Sequence, residues 1–200
     1  SKDIFSQIRT YPTLITSLNF WLPASTFALS FSIFGIFFIG GPYIAVKVFN
    51  LSPTVMGIYL ASPALGYVLG NILVSRIANL VSTKNLMVFG SLILVLGPCS
   101  SLLLSNFFLH PLSFYLPILI MTFGSGIIWP ASNAEIVKAI PHLAGSASGL
   151  GSAIMTLMSS FAAFLTGIYI EEANPMDFVC YFLILVGLLS FFSSLCSRSK

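Results

Sequence analysis

The sequence comprises 200 residues, of which 57% are hydrophobic and only 6% charged, whereas a soluble domain carries about 25% charged residues to keep its surface wetted. That balance excludes an ordinary water-soluble domain and places the chain in a lipid bilayer. The formal net charge of +3 is explained below by where the charges fall along the chain, so it does not point to nucleic acid as a partner.

Residues 1–20 read as a cytoplasmic approach segment ahead of a transmembrane bundle over 21–200. The chain begins at Ser1 rather than Met, which suggests truncation or processing. No charged n-region with a cleavage site precedes the first span, which argues against a cleaved signal peptide. Beyond this segment the uncharged runs are 10–46, 48–75, 85–134, 139–170 and 178–197. A span needs about 20 apolar residues to cross a hydrocarbon core of about 30 Å, so the longest run must hold two, broken at His110-Pro111. Six spans result: 22–46, 54–76, 85–107, 113–134, 143–169 and 177–197. The runs are continuously apolar, without the alternation of a membrane barrel, so the spans are helices.

The first span carries Phe27, Phe31, Phe34 and Phe38, candidates for an aromatic wall or for lipid contact, with Ser32 and Tyr43 as polar groups and Gly40-Gly41-Pro42 as a breaker. The second carries Ser62, Gly66 and Gly70 at a spacing of four, one small-residue strip on one helix face, and Asn71 beside it. Arg76 and Lys84 bracket the loop that follows. In the fourth span Ser125, Trp129 and Asn133 are polar groups expected to face the bundle interior. Glu135 and Lys138 just beyond it are spaced for a helical ion pair. The fifth span opens on "AGSASGLGSA", Ala144 to Ala153, with Gly145, Gly149 and Ala153 again four apart. Pro63, Pro98, Pro117 and Pro130 supply further kinks.

With a cytoplasmic N-terminus the inner segments hold Lys2, Arg9, Arg76, Lys84, Lys138, Arg198 and Lys200, and the outer ones only Lys47, a strong positive-inside bias with both ends cytoplasmic. The spans also divide into two triplets of nearly equal length with matched strips on their middle helices. An odd number of crossings inverts one triplet on the other, a plan common in secondary transporters.

Several chemistries lack their residues. No Gly-rich loop followed by Lys and Ser or Thr is present to hold ATP. Cys99, Cys180 and Cys196 show no CxxC spacing, and His110 and His142 fall on opposite membrane faces, so neither a metal site nor another cofactor is expected. Ser146-Ala147-Ser148-Gly149 approaches the Gly-Ala-Ser-Gly motif of rhomboid proteases, but no histidine follows it to serve as base. The chain is therefore expected not to be an enzyme. Asn50-Leu51-Ser52 is a sequon weakened by the following Pro53.

"IPHLAGSASGLGSAIM" (140–155), Gly41-Pro42 before a short loop, and "GNILVSR" from Gly70 to Arg76 together resemble the C-terminal half of drug transporters of the major facilitator superfamily, nearest to the bicyclomycin-resistance group of twelve-helix drug:proton antiporters. In that group the eleventh helix begins with a run of the type Ala-Gly-Ser/Thr-Ala-Ser, which Ala144 to Ser148 matches. The resemblance implies that the six spans are helices seven to twelve and that residues 1–20 end the central loop. It also implies that the strips on the second and fifth spans face an N-terminal half absent from this chain. Ser75 stands where the family commonly has an acid ahead of the arginine, and the acids that couple transport to protons lie mostly in the other half. The implied function is export of drug-like or amphiphilic small molecules against proton influx, in a bacterial inner membrane, with a cavity lined by Phe34, Phe38, Trp129 and Asn133. Two alternatives are a self-sufficient six-span permease or channel that dimerises through the strips, and a non-functional fragment of a split gene.

Overall fold

The computed structural model describes residues 11–172 and 174–198. Lys2, Arg9 and Lys200, and the first ten residues of the expected approach segment, lie outside the described residues. Within them the fold is all-helical. A short helix α1 (Tyr11–Ile15) precedes the first span, α2 (Leu18–Lys47), and the indole of Trp21 donates to the Ile15 carbonyl at 2.6 Å. The second span is two helices in series, α3 (Pro53–Leu60) and α4 (Ser62–Ile77). The third is α5 (Thr83–Phe107), the fourth α6 (Pro111–Ala139), the fifth α7 (Ala144–Tyr169), entered through a 3₁₀ turn at Pro141–Leu143, and the sixth α8 (Pro175–Arg198). All six are long and apolar enough to cross a membrane.

Local chemistry explains where these elements begin and end. Pro63 has no N–H to give to the preceding turn, and the ladder slips at Ala61 to a shorter bond from its N–H to the Ile58 carbonyl at 3.3 Å, so the second span breaks there. His110 caps α6, its Nδ1 accepting from the Leu112 N–H at 3.2 Å. Asn50, with φ of 50°, turns the chain between the first and second spans in a left-handed conformation that Asn tolerates better than most residues. The fourth span runs on to Ala139, past the expected end at 134, because Glu135 and Lys138 pair along the helix at 3.0 Å and a lysine suits the negative end of the helix dipole. Ile140 leaves helical geometry ahead of Pro141.

The first and fourth spans form the centre, with 61% and 67% of their most apolar windows buried, against 22% for the second and fifth. The second span packs on the fourth and the fifth on the first; the third packs on the fourth and sixth, and the sixth on the first. Exchanging the triplets turns each of these contacts into another on the same list, which is the signature of two inverted three-helix repeats. Each triplet lends its middle helix to the other's first helix, so neither triplet forms a bundle by itself.

At particular crossings the helices meet backbone to backbone. A Cβ on Gly35 in the first span would collide with the backbone carbonyl of Ser159 in the fifth, and one on Gly66 would collide with the Leu119 carbonyl in the fourth. Close backbone approach matters in lipid, where little hydrophobic drive holds helices together and contact between smooth surfaces replaces it. Side-chain hydrogen bonds add to it: Thr26 Oγ1 donates to Ser193 Oγ at 3.0 Å, Tyr115 OH to the Gly41 carbonyl at 2.8 Å, and Ser62 Oγ to the Tyr115 carbonyl at 3.3 Å.

Candidate solute cavity

The fourth span places Trp129 where the first, second and fifth spans converge. Its ring centroid lies 4.6 Å from Phe31, 5.1 Å from Phe34 and 6.4 Å, nearly edge-on, from Phe27, all on the first span. From the second span Tyr67 approaches to 4.6 Å. These separations fall in the range in which aromatic pairs attract beyond simple burial. Beside this group a cavity of about 260 Å³ is lined by Phe27, Tyr67, Asn71, Trp129, Pro130, Asn133, Ser148 and Ser152. Its polar groups are neutral: Asn71 Nδ2 donates to the Tyr67 carbonyl at 3.0 Å, and Ser148 Oγ donates to Asn133 Oδ1 at 3.1 Å. The Trp129 indole N–H is buried with no hydrogen-bond partner among the described residues. The arrangement suits a flat, partly apolar solute that offers an acceptor, held by stacking and by a few neutral hydrogen bonds.

Of the four expected cavity residues, Trp129 and Asn133 line this space, and Phe34 stacks behind Trp129 without reaching the lining. Phe38 is 67% exposed and touches Phe34 and Phe37. Phe27, one of the candidates for an aromatic wall, also lines it, while Tyr67, Pro130, Ser148 and Ser152 were missed as lining residues. Ser148 and Ser152, four apart in the run of small residues, carried a signal, since the residues that let a helix approach closely also leave room beside it.

The two strips meet different fates. Gly66 and Gly70 are buried against the fourth span, and Ser62 bonds to it. The second-span strip is thus used inside this chain, a correction to the expectation that it faces an absent half. A helix of one triplet needs a smooth face to reach the other triplet. The fifth span differs. Gly145 and Gly149 have nothing within 4 Å of an added Cβ, and Ala153 is exposed; the fifth span buries another face, with Ala147, Gly151, Ala162 and Thr166.

At the end of the bundle where the first span begins, Thr83 of the third span donates to Glu135 Oε1 of the fourth, and Lys138 Nζ lies 3.0 Å from that oxygen and 3.2 Å from Thr83 Oγ1. Lys84 follows Thr83, while Arg76 is exposed at the end of α4. Among the described residues, this face carries Arg76, Lys84, Lys138 and Arg198 against Glu135, and the opposite face Lys47 against Glu171, Glu172 and Asp177.

Residues 1–163 match the family model of the Major Facilitator Superfamily. The chain is 24% identical over 155 residues to the uncharacterized MFS-type transporter YdgK of Bacillus subtilis (strain 168), an alignment that covers 76% of this chain and 38% of that protein. It therefore matches well under half of that relative's length.

Proposed function

The chain belongs to the major facilitator superfamily, and from that premise we propose that it is the C-terminal six-helix half of a secondary transporter that exports drug-like or amphiphilic small molecules by proton antiport. The observation that carries this reading is the half-built character of one side of the bundle. The aromatic and amide-lined cavity opens among the first, second, fourth and fifth spans, and on the fifth Gly145 and Gly149 have nothing within 4 Å of an added Cβ among the described residues, with Ala153 exposed beside them. A second six-helix half laid against that side closes the cavity and covers the strip, and rocking of the halves exposes the cavity to each face in turn. The match to less than half of a relative described as a transporter supports the same division.

The cavity residues named above include no carboxylate, so in this reading the proton-carrying acid comes from the N-terminal half. The segregation of basic residues supports an orientation with both ends cytoplasmic in a bacterial plasma membrane. The test begins with the mass of the native polypeptide, read on host membranes with an antibody to residues 194–200. A band near twice the mass of this chain, with drug efflux that collapses when the proton gradient is dissipated, supports the reading. A band at 21.6 kDa whose native complex contains only copies of itself supports instead a permease that dimerises through the fifth-span strip.

A further inference from the structure

Away from the solute cavity, the first, third, fourth and sixth spans meet around a pocket of about 220 Å³ at the basic end of the bundle. Asn19, Lys84, Glu135, Lys138 and Ser197 contribute its polar lining. Among the described residues its lining holds one carboxylate, which is already engaged: Glu135 Oε1 accepts from Thr83 and pairs with Lys138 at 3.0 Å. Lys84, half-buried in the lining, is near enough for its charge to act on Glu135 but makes no hydrogen bond or contact ion pair with any described residue. Two ammonium groups thus share one pocket with one carboxylate, and the amide of Asn19 and hydroxyl of Ser197 add neutral donors. Such a balance favours an anion.

The surroundings indicate which anion. The pocket sits on the face where Arg76, Lys84, Lys138 and Arg198 outnumber Glu135 among the described residues, so the local field is positive. The two peripheral helices beside it, α5 and α8, carry exposed Phe89, Leu92 and Phe192 further along their lengths, an apolar surface for acyl chains beneath a cationic end. Basic pockets between transmembrane helices are suited to lipid head groups for this reason. We propose that this pocket binds the phosphate of an anionic phospholipid, with Lys84 as its main counter-charge and Lys138 as the second. The site is independent of the solute carried through the cavity.

The experiment is native mass spectrometry of the protein extracted from its host membrane in mild detergent, titrated with phosphatidylglycerol or phosphatidylcholine. Preferential retention of phosphatidylglycerol is expected. Lys84→Gln should weaken it about fivefold, the effect of one lysine near an anionic surface, while Lys84→Arg leaves it unchanged and Arg76→Gln, outside the lining, weakens it less than Lys84→Gln does. Equal retention of both lipids, or wild-type retention by Lys84→Gln, overturns the proposal. Inorganic phosphate that displaces the lipid at equal concentration, with the same dependence on Lys84, reassigns the pocket to a free anion and overturns the lipid assignment.

Discussion

Gly70 on the second span and Gly126 on the fourth face each other so closely that a Cβ added to either would lie 3.0 Å from the other's Cα. The Phe123 carbonyl blocks the first substitution as well, and the Tyr67 carbonyl the second. Because the obstacles are backbone, no side chain can swing aside to make room. Gly70→Ala and Gly126→Ala should each lower stability by about 1–3 kcal/mol, the usual cost of overpacking. Thermal unfolding of the detergent-solubilised protein reads this directly, and an unchanged midpoint for either variant would show that the helices can separate at no cost.

Gly149 should behave in the opposite way. It has nothing within 4 Å of an added Cβ, so Gly149→Leu should leave the stability of this six-span bundle within about 0.5 kcal/mol. In the proposed transporter the same change obstructs the contact between halves, and export should fall at least tenfold while membrane abundance stays constant. Normal export by the Gly149→Leu variant would remove the fifth-span strip from the interface.

The group of Thr83, Glu135 and Lys138 at the basic end permits a third test. Lys138 has a side chain 62% exposed, while that of Glu135 is 14% exposed, so their pair is partly screened and a double-mutant cycle of Glu135→Gln with Lys138→Gln should return about 0.5–1 kcal/mol of coupling. The role assigned to Glu135 is to tie the third span to the fourth through Thr83 and Lys138. Proton-driven export should therefore survive in Glu135→Gln, although the protein is less stable. Loss of drug-coupled proton movement with unchanged melting would instead make Glu135 a proton carrier.

Much of this architecture was legible in the chain because a bilayer makes one demand dominate: each crossing must be apolar over a fixed length and satisfy its own backbone. Charge positions consequently delimit the spans, and the break at His110-Pro111 separates two helices where hydropathy alone runs on. The destination of a helix face is a tertiary property and was harder to read. Gly66 and Gly149 each stand at the centre of a strip of the same spacing on the middle helix of a triplet, yet one is buried on the fourth span and the other open. Spacing identifies a smooth face but not what covers it. Likewise the phenylalanines of the first span divide by angle: Phe31 and Phe34 turn inward onto Trp129, and Phe38 remains 67% exposed. Tyr67 reaches the cavity only because the second span crosses onto the opposite triplet, which no local pattern announces.

Trp129 offers the most discriminating test of the cavity. Its indole N–H is buried without a partner among the described residues, a state that costs about 1–3 kcal/mol for an unmet donor, while its ring is held by Phe31, Phe34 and Tyr67. Trp129→Phe keeps an aromatic ring and removes the donor, so the fold should persist and apolar solutes should still be exported. Solutes that present a carbonyl or ether oxygen should lose about five- to tenfold in apparent affinity, the scale of one neutral hydrogen bond. Asn133→Ala should produce a similar loss, since it removes the amide paired with Ser148, and Phe38→Ala a smaller one, since that ring lies outside the lining. Binding to Trp129→Phe is followed with radiolabelled solute, and binding to Asn133→Ala and Phe38→Ala through Trp129 fluorescence in a Trp21→Phe background, where Trp129 is the remaining tryptophan of this chain. A uniform loss across all solutes, with or without acceptors, would show that the ring acts by shape alone and that its N–H takes no part in recognition.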